Sequence, residues 1–245
     1  MVFTSGTVKR KWMALDLPIL NCATLRKIQL RLAALKKDKI LNEDIFFLTE
    51  HFPIFTIGKN GQRKNLLISE KYLKDSGIEI LRTERGGDIT YHAPGQLIVY
   101  PVIDLKKNKL SIRGYVEKLE ELMIRTSFDM GVKVTRVKNA IGVWTNSQKI
   151  GSLGIVVKKD ITCYGIALNI NLDLTPFTWI NPCGLIGIRM TSIVQETKAK
   201  DINIAMAKRY MRKHIKDVFN ITFQDYSNLD ELYEDMKISD QMFED

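Results

Sequence analysis

Residues 85–103 read RGGDITYHAPGQLIVYPVI, a glycine-rich polar segment that runs into an unbroken apolar stretch. The stretch from Leu97 to Ile103 has the length and composition of a buried strand, and Ile78 to Thr83 predicts another strand before the glycines. The Gly-Gly and Pro-Gly pairs between these strands predict turns. Paired glycines also let a ligand approach the backbone, so we expect Arg85 and His92 to flank a binding site.

Helices and further strands surround this stretch. Apolar side chains at helical spacing predict helices over residues 24–38, 111–130 and 201–219, with a weaker one over 229–236. Strands are expected at 44–49, 53–57, 132–137, 141–157 with a break near Ser147, and 161–170, the first two separated by a turn at Glu50-His51-Phe52. Long helices mixed with adjacent hairpins predict an α+β fold, a single domain with a mixed β-sheet and flanking helices. We place this domain at residues 1–225, followed by an acidic tail at 226–245.

Composition and charge narrow the class of protein. The 245 residues are 45% hydrophobic and 27% charged, which excludes collagen-like and disordered chains, and no apolar run approaches the length of a membrane span. The net charge of +9 is uneven: residues 225–245 carry −7, so residues 1–224 carry +16. A basic body attracts acidic partners. Charge alone does not tell whether such a partner is a nucleic acid, an anionic membrane or an acidic protein.

The cysteines and histidines suggest no metal site. Cys22, Cys163 and Cys183 are odd in number, and their spacing matches no zinc or disulfide framework. We therefore expect a reduced, cytoplasmic protein, or one of the mitochondrial or plastid matrix if a leader has been removed. Cys163, inside a predicted strand, is expected to be a small buried hydrophobe.

Cys183 stands apart because it lies in a loop, in the setting Asn181-Pro182-Cys183-Gly184. A free thiol ionises near pH ~8.5, so a cysteine nucleophile needs a cation or a base beside it. The sequence offers His92 and Lys149 as candidates, the latter at the start of a glycine-interrupted strand. By residue type alone, Cys183 can equally be a structural thiol and Lys149 a solvated edge residue.

Five motifs in this order resemble the lipoyl(octanoyl) transferase family. They are Glu50 to Gly58, Arg85 to Gln96 with Tyr100-Pro101, Lys149 to Gly154, Gly165 to Asn169 and Asn181 to Gly184, within residues 40–195. The resemblance implies transfer of an octanoyl group from acyl carrier protein to a lysine of lipoyl domains, the first step of lipoate assembly. The acceptors would be lipoyl domains of 2-oxoacid dehydrogenases and the glycine cleavage H protein. It also implies a monomer without cofactor or metal, binding neither nucleic acid nor membrane, with the fold of lipoate-protein ligases and of the catalytic domain of biotin protein ligases.

Residue roles follow from the same resemblance. Cys183 matches the acyl-accepting thiol of the family and Lys149 the lysine that activates it. Backbone N–H groups near Gly184 or residues 152–154 would hold the oxyanion. Tyr164 departs from the histidine that is common in the family at this position. The segments expected to line the acyl site are Arg85, Gly86, Gly87, Asp88, Ile89, Thr90, Tyr91 and His92, then Ser152, Leu153 and Gly154, then Gly165, Ile166 and Ala167.

Three alternatives remain open. An ATP-dependent lipoate or biotin ligase of the same fold activates its acid as an adenylate and needs no cysteine nucleophile. An octanoyl amidotransferase would differ only in its acyl donor. A basic nucleic-acid-binding module is disfavoured because the aromatic residues are scattered among strands rather than gathered as a stacking platform.

Overall fold

The computed structural model describes residues 9–236, with only the backbone at Glu70. Its helices are α1 (Cys22–Lys37), α2 (Glu70–Asp75), α3 (Ile112–Asp129), α4 (Ile193–Thr197), α5 (Ile204–Phe219) and α6 (Leu229–Asp235). Its strands are β1 (Arg10–Leu20), β2 (Ile45–His51), β3 (Ile54–Ile57), β4 (Glu79–Arg82), β5 (Ile89–His92), β6 (Gln96–Val102), β7 (Thr135–Val137), β8 (Ala140–Trp144), β9 (Lys149–Lys158), β10 (Ile161–Asn169) and β11 (Ile221–Tyr226).

Two sheets organise these elements. The larger has eight strands in the order β11-β1-β2-β6-β10-β9-β8-β7, and the smaller has three in the order β4-β3-β5. Strand β1 is parallel to both β2 and β11, whereas β6, β10, β9, β8 and β7 continue the sheet in antiparallel pairs. The predicted α+β fold with a mixed sheet is confirmed.

Helices cover both faces of the large sheet. Helices α3 and α5 pack on one face through side chains such as Leu119 and Met211, and α1 packs on the other. Helix α1 begins where the Asn21 side chain accepts the Ala23 N–H, and its Leu25 and Leu32 are fully buried. Burying a leucine contributes about 1.5 to 3 kcal/mol, so this face stabilises the helix far more than its capping does.

Some strands of the structure are not predicted by the sequence pattern. Strand β1 is not predicted, because Asp16 and Pro18 interrupt its alternation, and its pairing with β2 shifts register between Asp16 and Ile19. Strand β5 is hidden inside the glycine-rich segment, where turn residues dominate the pattern. The strands on either side of Glu50-His51-Phe52 are present, but β2 belongs to the large sheet and β3 to the small one.

The chain after α5 returns to the sheet. Strand β11 pairs in parallel with β1, and helix α6 follows it with Leu232 fully buried against the α1 face. The expected tail at 226–245 therefore begins at the last residue of β11, and its first part, through α6, joins the core. Residues 237–245 lie outside the described residues. None of the described helices is long and apolar enough to cross a membrane.

Candidate active site

Cys183 lies in a tight turn, Pro182–Gly184, beside strand β5. Its φ is +58°, in the left-handed region that costs a residue with a side chain about 1 to 3 kcal/mol. Gly184 has φ +72°, and a Cβ there would lie 2.9 Å from Asp88 Oδ2. Glycine is therefore required after the cysteine, both for its backbone conformation and for the close approach of Asp88.

The cysteine turn is tied to the rest of the site through Asn65. The Asn65 carbonyl accepts the Asn181 N–H at 2.8 Å, and Asn65 Nδ2 donates to Asp88 Oδ2 at 2.7 Å. Asp88 Oδ1 accepts the Ile89 N–H at 2.6 Å. These bonds fix the position of the thiol relative to β5. Asn65 makes no signal in the sequence, because its role depends on contacts between distant segments.

Lys149 begins strand β9 and is 3% exposed. Its Nζ lies 3.1 Å from Cys183 Sγ and 5.4 Å from the centre of the Trp144 ring. Backbone hydrogen bonds to Arg189 and from Thr191 hold the strand at this point. An ammonium at this distance attracts a thiolate more strongly than a thiol, which is the arrangement of an activated nucleophile.

A cavity opens beside the thiol, between the two sheets. Most of the residues expected to line the acyl site do line it, but Gly86, Ile89 and Tyr91 do not. Because side chains alternate along β5, Ile89 and Tyr91 point away from the cavity, into the core of the smaller sheet. Gly86 instead bonds to β9, where its N–H donates to the Ile155 carbonyl. The lining residues are Arg85, Gly87, Asp88, Thr90, His92, Tyr100, Ser152, Leu153, Gly154, Tyr164, Gly165, Ile166, Ala167 and Cys183.

Arg85 contributes a buried positive charge to the cavity wall. Its guanidinium donates to the hydroxyl and carbonyl of Thr56 and to the carbonyls of Gly86 and Asp88. Burial lowers the pKa of Arg85, and the neighbouring Cys183 opposes that shift. Neutral oxygens satisfy its donors while leaving the charge uncompensated, so the wall favours a negatively charged group in the cavity.

His92 lines the same cavity, but its ring nitrogens bond to residues other than Cys183. Burial, with smaller contributions from His51 and Arg85, lowers the pKa of His92 to about 3, so the ring is neutral. Its Nδ1–H donates to Gln96 Oε1 at 2.7 Å, and its Nε2 accepts the Thr56 hydroxyl at 3.3 Å. Of the two candidates to activate the thiol, Lys149 is the one in contact with it.

The two groups of N–H donors expected to hold an oxyanion differ in availability. The Gly184 N–H donates to the Asn181 carbonyl at 2.9 Å. Strand β9 pairs with β8 only as far as Gly151, so the backbone of residues 152–154 borders the cavity on its other edge. Tyr100 is a cavity residue whose role the sequence does not indicate, since it sits inside an apolar strand. Among the described residues, no group of three His, Cys, Asp or Glu side chains could hold a metal ion.

Comparison with known proteins places the chain among acyl-attaching enzymes. Residues 25–216 match the lipoyl protein ligase A/B catalytic domain family. The octanoyltransferase of Desulfotalea psychrophila is 45% identical over 181 residues, which is 73% of this chain and 81% of the relative. That of Alkaliphilus metalliredigens is 33% identical over 203 residues, covering 82% of this chain and 92% of the relative.

Solved structures agree on the fold. A bipartite lipoate protein ligase from Thermoplasma acidophilum superposes with a TM-score of 0.72 at 14% identity, over 96% of this chain and 92% of that one. A biotin protein ligase from Aquifex aeolicus gives a TM-score of 0.51 at 14% identity, over 86% of this chain and 70% of that one. The predicted likeness to lipoate and biotin ligases is confirmed at the level of fold.

Proposed function

The chain belongs to the lipoyl protein ligase A/B catalytic domain family, and we propose that it is an octanoyltransferase of lipoate biosynthesis that carries the octanoyl group on Cys183. The observation that carries this proposal is the 3.1 Å contact between Lys149 Nζ and Cys183 Sγ at the mouth of the cavity. An adenylate-forming ligase has no need of such a pair.

In the first half-reaction, the Cys183 thiolate attacks the carbonyl carbon of an octanoyl thioester on acyl carrier protein. The carbonyl oxygen becomes an oxyanion, and the edge of β9 at residues 152–154, beyond its pairing with β8, would offer an N–H donor for it. The tetrahedral intermediate collapses by breaking the bond to the carrier sulfur. The products are an octanoyl thioester on Cys183 and the carrier thiolate, which takes the proton of the Lys149 ammonium.

In the second half-reaction, the amine of a lipoyl-domain lysine attacks the Cys183 thioester. This lysine ordinarily has a pKa near ~10.4, so only about one in a thousand is neutral at neutral pH and a base is needed. Lys149, now neutral and next to the reacting sulfur, takes the proton from the attacking amine. Cys183 leaves as a thiolate, and the original ion pair is restored.

The cavity supplies binding free energy for the acyl chain. An octanoyl chain has six methylenes and a methyl, and burial contributes about 0.8 kcal/mol per methylene, or about 5 kcal/mol in all. Ala167 and the rings of Tyr100 and Tyr164 give apolar surface for this burial, whereas the side chains of Leu153 and Ile166 pack with α3 and α5 on the other face of the sheet.

The surroundings of the site suit acidic protein partners. Lys59, Arg63 and Lys64 are exposed on the segment that leads into Asn65, which holds the cysteine turn, and Arg189 is exposed beside Lys149. Acyl carrier protein and lipoyl domains are typically acidic, so the positive charge of the body would draw both to this face.

The test is the acyl-enzyme itself. The protein is mixed with octanoyl-acyl carrier protein, without ATP, and intact mass with peptide mapping locates any added octanoyl group. We expect one hydroxylamine-sensitive octanoyl group on Cys183, absent from Cys183→Ala and retained in the matched control Cys163→Ala, whose thiol is buried away from the cavity. Octanoyl transfer without this adduct, or transfer that requires ATP and free octanoate, would refute the covalent mechanism.

A further inference from the structure

Tyr164 occupies the far end of the acyl cavity. In the β9–β10 pair, Ser152 faces Ala167 and Gly154 faces Gly165, and all four line the cavity. The next pair along is Ile155 with Tyr164. Lys149 lies six residues earlier on β9, about 20 Å away at 3.3 Å per residue, which leaves room for its side chain, the thiol and an acyl chain in between. The cavity thus runs along the two strands from Cys183 towards the Tyr164 ring.

The Tyr164 side chain is held at its hydroxyl. The O–H donates to Glu84 Oε2 at 2.7 Å, and Arg26 pairs with both oxygens of the same carboxylate. Arg26 lowers the pKa of Glu84 to about 2, so the acceptor stays ionised across the range in which the enzyme works. The Tyr164 N–H donates to Gln29 Oε1 at 2.7 Å. Helix α1 therefore anchors this residue directly at its backbone, through Gln29, and indirectly at its hydroxyl, through the Arg26–Glu84 pair.

A second tyrosine supports the ring. The Tyr100 ring lies 6.0 Å from the Tyr164 ring at an interplanar angle of 76°, an edge-to-face contact. Burial lowers the pKa of His51 to about 4, so His51 is neutral; its Nδ1–H donates to the Leu20 carbonyl and its Nε2 accepts the Tyr100 hydroxyl at 3.2 Å. The rings of Tyr164 and Tyr100, each held by a hydrogen bond at its hydroxyl, thus form a fixed wall of the cavity.

Tyr164 also adopts a backbone conformation that strand residues avoid. Its φ is +60°, which interrupts the side-chain alternation of β10. A non-glycine residue is kept in this region only where the surrounding contacts over-determine it. Here the contacts with Gln29 and Glu84 do so.

We propose that Tyr164, anchored by Glu84 and Arg26, is the residue that sets the maximum length of the acyl chain. The ring lies at the end of the cavity away from Lys149, so a chain that reached beyond it would have to displace a hydrogen-bonded phenol. This inference rests on the proposed octanoyl transfer through Cys183.

The test compares acyl-enzyme formation from hexanoyl, octanoyl, decanoyl and dodecanoyl thioesters, followed by intact mass. We expect the wild type to react fastest with octanoyl. Tyr164→Ala should raise the decanoyl-to-octanoyl rate ratio about tenfold, the effect of burying two further methylenes. Tyr164→Trp, which enlarges the wall, should shift the preference towards hexanoyl.

Tyr115→Phe is the matched control. Tyr115 is also a fully buried tyrosine whose hydroxyl contacts one partner, Thr162, but it lies on α3 on the other face of the sheet. The decanoyl-to-octanoyl rate ratio of Tyr115→Phe should equal that of the wild type. If the decanoyl-to-octanoyl rate ratio is unchanged in both Tyr164 variants, the inference is overturned. If Tyr164→Ala does not fold, Tyr164→Trp decides alone: a chain-length preference equal to that of the wild type overturns the inference. Failure of the wild type to form any acyl-enzyme would instead refute the proposed function.

Discussion

Replacing Lys149 by methionine removes the ammonium next to the thiol and keeps a side chain of similar length against Trp144. Two unit charges 3.1 Å apart attract by about 1.3 kcal/mol at the dielectric constant of water and by about 5 kcal/mol at an effective value of 20. Cys183 is half-buried, so the lower figure is a floor. Loss of an attraction of this size corresponds to about a tenfold slower attack by the sulfur.

The assay is the rate of alkylation of Cys183 by iodoacetamide at neutral pH, with the modified cysteine identified by mass spectrometry. We expect Lys149→Met to be alkylated at least about tenfold more slowly than the wild type. Lys149→Arg keeps the positive charge and should retain most of the rate. An alkylation rate that is the same in wild type and Lys149→Met would show that the ion pair does not activate the thiol, whatever the effect on turnover.

Four further outcomes are expected. Cys183→Ser should abolish octanoyl transfer while leaving the melting temperature unchanged, because a hydroxyl does not ionise at neutral pH; transfer near the wild-type rate would contradict the covalent route. Added salt should slow transfer from octanoyl-acyl carrier protein but hardly affect a small octanoyl thioester, since screening acts over about 8 Å at physiological ionic strength, and identical responses would argue against a basic docking face. The free energy of unfolding should fall as pH drops from 6.5 towards 4, because the pKa of His51 is about 4 in the folded protein and the unfolded chain binds the proton first, and His51→Gln should flatten this dependence in urea titrations. Tyr164→His should keep octanoyl transfer within about tenfold, since either side chain offers one hydrogen bond, and complete loss of activity would mean that the site depends on the phenol.

Much of the fold was predictable because its patterns are local. Helices α1, α3 and α5 carry apolar side chains at helical spacing with capping residues at their starts, and the structure places them close to the expected bounds. Strand β5 was not, since its pattern is overridden by neighbouring turn residues. Strands β2 and β3 belong to different sheets because they pair with strands that are distant in the sequence. The local sequence pattern of a strand does not indicate its pairing partner.

The candidate site shows the same division. Residue types drew attention to Cys183 and the glycine-rich segments, and the order of the five motifs, through the resemblance to a known family, gave Cys183 and Lys149 their expected roles. Only the tertiary structure decided that Lys149 rather than His92 contacts the thiol, and that Ile89 and Tyr91 face away from the cavity. It also joined Tyr164 to Glu84 and Arg26, residues 80 and 138 positions away in sequence. Distances and directions of this kind arise from strand register and helix packing, which are cooperative properties of the whole chain and leave no signature in any single segment.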